Sequence, residues 1–315
     1  KLCAKRDVIF ITYIVSQPII HHHLLTLAHK FNLHPSSPHT RDYYRKIMST
    51  TNTCANCGKG EESSGDLKAC TACKMVNYCN RECQIANRPQ HKKACKKRAA
   101  ELHDENLFKE HAPDECPICM LPLPLHDTHT GMTFRSCCGK SICDGCEYAM
   151  DESGAKGLCP FCKSPPANSD REEVKRTKKL TEKGNSDACY FLAGFYAQGI
   201  HGMPQDEAKA NELLLKAGEL GCAKAYHNLG NSYHNGRGVE IDMKKAKHYY
   251  ELAAMNGDIK ARHNLGCAEL EAGNYDRAFK HFIIAARAGY KDSLDAVKKG
   301  YMAGVVTKEQ YANTL

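Results

Sequence analysis

Fifteen cysteines and one histidine between Cys54 and Cys162 carry the spacing of metal ligands. The first set of eight reads Cys54-x2-Cys57-x12-Cys70-x2-Cys73-x5-Cys79-x3-Cys83-x7-His91-x3-Cys95. The second reads Cys116-x2-Cys119-x17-Cys137-Cys138-x4-Cys143-x2-Cys146-x12-Cys159-x2-Cys162. Zinc takes thiolate and imidazole donors in a tetrahedron, and a C-x2-C turn offers two sulfurs to one ion. Each set therefore has donors for two ions, and its pairs can be filled in sequence or interleaved. Clustered C-x2-C pairs favour metal over disulfides and a reducing compartment. A cysteine-rich stretch this short has no sizeable core, so metal must supply the deficit, on the order of 10–16 kcal/mol per structural site.

The remaining composition is that of an ordinary folded chain. Hydrophobic residues make up 42% of 315 positions, enough for two or three domains. The net charge of +8 is modest; it permits acidic partners or nucleic acid but argues for neither. No Ser-His-Asp grouping, P-loop or Gly-rich dinucleotide turn is present, so no metabolic enzyme is indicated. Cys3, Cys189, Cys222 and Cys267 lie outside the two sets, and the last three read as core residues of helices.

Near the amino terminus, Val8 to Val15 is an apolar run. It falls short of the roughly 18 residues of a membrane span, and Pro18 interrupts its continuation. The triplet His21, His22 and His23 reads as polar loop. Residues 1–48 are read as an extension, with translation of the native protein expected to start at Met48.

Elements must then position the ligands. Residues 50–97 hold the first set, and a helix-prone stretch, Lys96 to Glu110, forms a linker over 98–113 that Pro113 ends. The second set occupies 114–166, closed by Ser164-Pro165-Pro166. From 171 to 300 a pattern repeats. Gly184, Gly221, Gly257 and Gly289 are spaced by 37, 36 and 32 residues. Each is followed at one-turn steps by a small residue (Ala188, Ala225, Ala261, Ser293) and an apolar one (Leu192, Leu229, Leu265, Val297). Small residues let helices approach closely, glycine caps the second helix of each hairpin, and hairpins stack because none buries its apolar face alone. A capping helix over 301–315 starts at Thr307-x2-Gln310.

The repeats resemble the Sel-one-like family, cousins of the tetratricopeptide class. Ala225 to Gly257 carries this best, through Leu229-Gly230, Tyr233, Gly236, Gly238-Val239, Asp242, Lys245-Ala246, Tyr249 and Ala253-Ala254. The first unit has Ala193 where the family prefers Gly, and the third lacks the G-x-G-V-x2-D loop. The resemblance implies a protein-binding scaffold.

The first set resembles a MYND finger, through its ligand order and Tyr78-Cys79-x3-Cys83-Gln84. The resemblance implies interleaving: Cys54, Cys57, Cys79 and Cys83 on one ion, and Cys70, Cys73, His91 and Cys95 on the other. It also implies docking of proline-containing peptides. The aromatic floor used for that docking is absent, because Arg88 stands where the family often has Trp. Lys92, Lys93, Lys96 and Lys97 read as a solvated helix face.

The second set resembles an all-cysteine RING finger, through Cys116-Pro117-Ile118-Cys119, Cys143-x2-Cys146 and Cys159-Pro160-Phe161-Cys162. Lys140 stands where the usual RING has its His ligand, and an ammonium cannot ligate zinc. The resemblance implies a cross-brace, with Cys116, Cys119, Cys143 and Cys146 on one ion and Cys137, Cys138, Cys159 and Cys162 on the other. Adjacent ligands are cramped, so one of Cys137 and Cys138 could stand free. A RING holds a ubiquitin-conjugating enzyme and orients its thioester. The contact residues implied here are Ile118, Leu158, Pro160, Phe161 and Lys163.

The expected fold is thus multidomain: two small zinc-stabilised modules, MYND and RING cross-brace, followed by an all-α helical-hairpin solenoid. The expected function is an intracellular adaptor, cytoplasmic or nuclear. It would act as a RING-type ubiquitin ligase whose repeats bind protein clients and whose RING binds a conjugating enzyme. The alternative is a non-catalytic zinc-finger scaffold.

Overall fold

A computed structural model describes residues 53–60, 66–123, 131–154 and 157–315. The amino-terminal extension lies outside these residues, with Cys3, the apolar run and the histidine triplet. The chain divides into two compact units, Lys1–Leu102 and His103–Leu315. Each is described by itself.

In the first unit, two short strands, β1 (Lys68–Ala69) and β2 (Asn77–Tyr78), pair antiparallel with Lys68 opposite Tyr78. Cys54 bridges in parallel to Asn77. The small core consists of Cys54, Cys70, Cys73 and Tyr78, so the ligands themselves are most of it. Helix α1 (Arg81–Leu107) follows directly, and the Asn80 side chain accepts the Cys83 backbone N–H at 2.8 Å as its cap. Pro89 lies inside α1; the carbonyl it leaves unpaired is that of Ile85, an exposed residue that water can reach.

The helix expected over Lys96 to Glu110 is therefore the second half of a longer one, and it stops at Leu107 rather than at Pro113. The reason is a buried cation. Arg262 Nη1 donates to the Leu107 carbonyl at 2.6 Å, and Nη2 donates to the carbonyls of Lys109 and, at 3.0 Å, Ala254. Carbonyls left over at a helix end must find donors. Here a side chain distant in sequence supplies them and turns the chain out of the helix.

The second cysteine set builds a hairpin, β3 (Met132–Arg135) with β4 (Lys140–Cys143), and helix α2 (Asp144–Glu152). Cys116, Ile142 and Cys146 form its core, with Phe161 and Leu123 packed against them. Nine helices then follow: α3 (Asp170–Glu182), α4 (Ser186–Gln198), α5 (Glu207–Glu219), α6 (Ala223–Asn235), α7 (Met243–Met255), α8 (Ile259–Glu271), α9 (Tyr275–Arg287), α10 (Lys291–Met302) and α11 (Lys308–Ala312). Each packs on its neighbours in sequence, which is the signature of a solenoid. No helix among the described residues is long and apolar enough to cross a membrane.

The repeating glycines close the helices as their spacing implies. Gly184, Gly221, Gly257 and Gly289 have φ between 76° and 97°. After each, the next N–H returns to a carbonyl five residues back: Asn185 to Leu180, Cys222 to Ala217, Asp258 to Ala253 and Tyr290 to Ala285. These are four Schellman closures. The small residues Ala188, Ala225, Ala261 and Ser293 are fully buried. Thr307 and Gln310 make the expected capping box.

Helix pairing explains the departure at Ala193. A Cβ on Gly230 would lie 2.6 Å from the Tyr250 ring, and one on Gly266 would lie 2.5 Å from Phe282. The residue in register in the first repeat is Leu214, which is not aromatic, so Ala193 is accommodated. The third hairpin turns through only Ala272, Gly273 and Asn274, in keeping with its missing loop. Cys189, Cys222 and Cys267 all pack on core clusters.

His281 on α9 is fully buried, and neither ring nitrogen has a partner. Burial, with the Arg262 and Arg277 charges, pushes its imidazole down from 6.5 to about 3. Between these values the unfolded chain binds a proton that the folded chain refuses. Stability contributed by this group therefore falls as pH drops through that window, by about 1.4 kcal/mol per pH unit. His281→Phe is expected to raise the melting temperature at about pH 5 and to flatten this slope relative to wild type; calorimetry of both proteins across the window checks it.

Candidate metal centres

Four turns of one design present the first donor pairs. In each, the N–H of the residue after the second cysteine returns to the carbonyl of the first, at 2.9 Å: Gly58 to Cys54, Lys74 to Cys70, Met120 to Cys116 and Lys163 to Cys159. That residue is left-handed every time, with φ of 73°, 56°, 57° and 58°. The turn points two sulfurs the same way, and only one of its four left-handed positions is a glycine.

Regular elements present the other donors. Cys79 precedes α1, Cys83 lies in its first turn, and His91 and Cys95 follow on one face at the i, i+4 spacing. Cys143 caps α2, its sulfur accepting the Cys146 N–H at 3.4 Å. Cys137 and Cys138 sit in the β3–β4 turn, where the N–H groups of Cys138 and Gly139 both reach the Arg135 carbonyl.

The structure gathers these side chains into four groups, each with its ligand atoms within 4.8 Å of one another. They are Cys54, Cys57, Cys79 and Cys83; Cys70, Cys73, His91 and Cys95; Cys116, Cys119, Cys143 and Cys146; and Cys137, Cys138, Cys159 and Cys162. Both sets are interleaved, and the neighbours Cys137 and Cys138 join one group. A tetrahedron with zinc–sulfur bonds of about 2.3 Å has edges of about 3.8 Å. Sulfur–sulfur distances are 3.7 Å for Cys57–Cys79 and for Cys70–Cys95, 3.8 Å for Cys116–Cys146 and for Cys119–Cys143, and 3.6 Å for Cys138–Cys159. Cys73 Sγ lies 3.2 Å from His91 Nε2. A disulfide would need about 2.05 Å.

Electrostatics fit the same group. Burial raises the Cys54 thiol, but backbone N–H groups from Cys57 and Cys79 more than offset it and draw it to about 6. Backbone donors draw Cys70 and Cys116 to about 6 in the same way, against burial. Ser164 draws Cys162 to about 6. Their neighbours move the opposite way. The sulfur of Cys83 and burial push Cys79 to about 12, and burial and adjacent sulfurs push Cys95 and Cys146 to about 12. Each group thus sets one thiol drawn down beside at least one pushed up (Cys79, Cys95, Cys146 and Cys137), an imbalance that an arriving cation removes. Zinc fits all four groups.

The second module is fastened to the first helices of the solenoid. The Phe134 and Phe191 rings stack at 4.3 Å. Ser136 donates to Glu173 at 2.6 Å, and Asn185 Nδ2 donates to the Gly139 carbonyl at 3.4 Å. Asn185 also caps α4, accepting the Ala188 N–H. Gly139, with φ of 76°, takes a side chain only if Asn185 gives way: a Cβ would lie 2.5 Å from Asn185 Nδ2.

Of the residues expected to meet a conjugating enzyme, Ile118 is 39% and Leu158 41% exposed. Lys163 is exposed in its left-handed turn position, while Pro160 and Phe161 are half-buried. Phe161 packs on the module core, and the Lys140 ammonium lies 4.4 Å from its ring centroid. Arg88 and the lysines Lys92, Lys93, Lys96 and Lys97 are exposed on α1. A groove of about 920 Å³ is lined by Tyr190, Asn228 and Asn231 of the repeats and by Pro122, Leu123 and Met132 of the second module.

Sequence reasoning did not single out Arg262. Its signal was present: Cys189 and Tyr226 fill the same register, so a cation there breaks an apolar pattern.

The MYND finger family model matches residues 54–95, and the Sel1 repeat model matches 186–222, 223–258 and 259–290. The ERAD-associated E3 ubiquitin-protein ligase component HRD3B of Arabidopsis thaliana is 34% identical over 111 residues, covering 35% of this chain and 17% of that protein. The chitin synthase regulator SKT5 of Malassezia restricta is 33% identical over 85 residues, covering 27% and 6%. A zinc finger MYND domain-containing protein 10 homolog of Drosophila melanogaster is 44% identical over 48 residues, covering 15% and 10%. The chain therefore spans less than a fifth of the length of each of these relatives. A Sel1 repeat protein from Oxalobacter formigenes superposes with a TM-score of 0.43 at 24% identity, covering 52% of this chain and 66% of that one. Fold and site together define a class: a zinc-binding, cysteine-rich front followed by a Sel1 solenoid, the make-up of a protein-interaction scaffold. Within it, this chain carries a MYND finger and a second cysteine module ahead of three Sel1 units.

Elemental analysis is expected to give four zinc ions per chain. Chelation is expected to abolish amide protection over the two cysteine sets while α5 to α9 stay protected. Gly139→Ala is expected to retain all its zinc yet weaken the mount on α3 and α4 by about 1–3 kcal/mol, read as faster exchange of the β3–β4 hairpin.

Proposed function

We propose that the second cysteine module is a RING-type finger and that the protein is a ubiquitin ligase whose Sel1 repeats hold the client. In this reading the finger spans residues 114–166 and the repeats 171–300. The observation that carries it is the interleaved pair of four-cysteine groups around a hairpin and helix, with apolar Ile118 and Leu158 left exposed at the two loops. An exposed apolar residue on a zinc-fixed loop needs no rearrangement to dock. Such a module has no nucleophile to offer; it holds the carrier and its thioester in a reactive geometry, so its catalytic share is orientation. Lys163 supplies a cation beside the second loop, without the planar fork of an arginine. The groove shared by the repeats and this module would hold the client near the carrier. A relative named as a ubiquitin-protein ligase component supports the pairing of such repeats with ubiquitin transfer. Unpaired thiols in such number suit a reducing, intracellular compartment.

A second reading, a scaffold without ligase activity, is favoured by one observation. Lys140 covers the Phe161 ring, which withdraws that residue from a partner. Autoubiquitination with a panel of conjugating enzymes separates the two. The ligase reading expects chains to form and Ile118→Ala to reduce them at least about tenfold, about 1.4 kcal/mol of lost docking, with zinc content unchanged. Silence across the panel establishes the scaffold.

A further inference from the structure

The end of α1 and the turn after it, residues 104–110, lie on α7 to α9 in the manner of a bound peptide. Leu107 is 1% exposed and enters the cluster of Ala246, Tyr250, Ala253, Ala254, Ala261 and Leu265. Phe108 packs on His281 at 4.6 Å, with the Arg277 guanidinium 5.2 Å and the Lys280 ammonium 5.5 Å from its ring. Acidic residues flank this pair, Asp104 on Arg277 at 2.7 Å and Glu110 on Arg287 at 2.8 Å. Between them Arg262 holds two backbone carbonyls, a grip that any sequence can satisfy. Side chains set the register and main chain supplies the hold, which is how folded proteins read linear segments.

We propose that this face of α7 to α9 is a recognition site for an acidic–aromatic linear segment, acid-x2-Leu-Phe-x-acid. Residues 104–110 fill it in cis, and a partner protein carrying the same spacing binds by replacing them. Two features favour exchange over permanent closure. Arg262 is fully buried, and its donors go to carbonyls, so its charge is shared by no carboxylate in direct contact. His281 beneath Phe108 has two buried nitrogens that Phe108 cannot satisfy. The site thus holds its own segment at a cost, and a partner whose aromatic carries a donor or acceptor in place of that Phe gains what Phe108 forgoes. The competitor in cis acts at an effective concentration on the order of millimolar, which sets the threshold a partner must exceed. This rests on the reading of the repeats as protein-binding, and it is independent of ligase activity.

The probe is a fluorescent peptide of residues 102–113 titrated into the full chain. Wild type is expected to bind it weakly, and Leu107→Ala/Phe108→Ala, which empties the site, at least about tenfold more tightly. Adding Arg277→Glu to that variant is expected to abolish the gain, and a peptide with Arg in place of its aspartate to restore it. Should the double variant fail to fold, Arg277→Glu alone serves, because it loosens the segment in cis and should bind the arginine peptide more tightly than wild type does. Equal binding by the emptied and filled proteins, no binding to either, or indifference to the charge swap overturns the proposal. Ubiquitin transfer assayed on the same proteins reports separately on the ligase reading.

Discussion

Thiolates held about one tetrahedral edge apart repel one another once ionised, and three of the groups are four such sulfurs while the other is three with His91. Backbone N–H groups draw down Cys54, Cys70 and Cys116, and Ser164 draws down Cys162, while Cys79, Cys95, Cys146 and Cys137 beside them are pushed up. A divalent cation resolves the conflict by letting all the thiols of a group ionise together, with His91 a neutral donor in the second group. Much else in the front half follows from that constraint. Its strands are two to four residues long, its apolar clusters consist largely of the ligands, and its turns place Lys74, Met120 and Lys163 in a conformation that costs each of them energy. Metal bound at each turn would over-determine that backbone and hold it there.

The solenoid meets the opposite problem with the opposite means. It has ample apolar surface, and its difficulty is ending thirteen-residue helices on time so that the next can stack. Glycine in left-handed geometry does this after α3, α5, α7 and α9. The aromatic-on-glycine contacts, Tyr250 on Gly230 and Phe282 on Gly266, then set how closely each pair approaches. At α1 the same requirement is met by Arg262. A helix entering from outside the repeat pattern has no glycine of its own at its end, and a buried guanidinium takes its last carbonyls.

Most of this was legible because ligand spacing and repeat period are local signals. The interleaved grouping followed from resemblance, and the structure gathers the same sixteen side chains. The helix closures could be read from Gly184, Gly221, Gly257 and Gly289 alone. What sequence could not give was long-range. Pro113 is the stop that composition implies for the linker helix, whereas Leu107 is where Arg262 reaches it from 155 positions away. Cys137 and Cys138 share one centre for a local reason that spacing alone does not carry: the β3–β4 turn, with two N–H groups on the Arg135 carbonyl, aims the adjacent sulfurs at it. The left-handed lysines and methionine of the knuckles carry no compositional mark.

Asn185 serves two masters. Its carboxamide oxygen starts one helix of the first Sel1 unit, while its nitrogen reaches the hairpin between two metal groups. A residue so shared ties two histories together. The hairpin cannot drift in sequence without regard to the solenoid, and the first unit cannot be exchanged for a generic one without loosening what it carries. Shuffling these modules as independent cassettes would therefore break this seam.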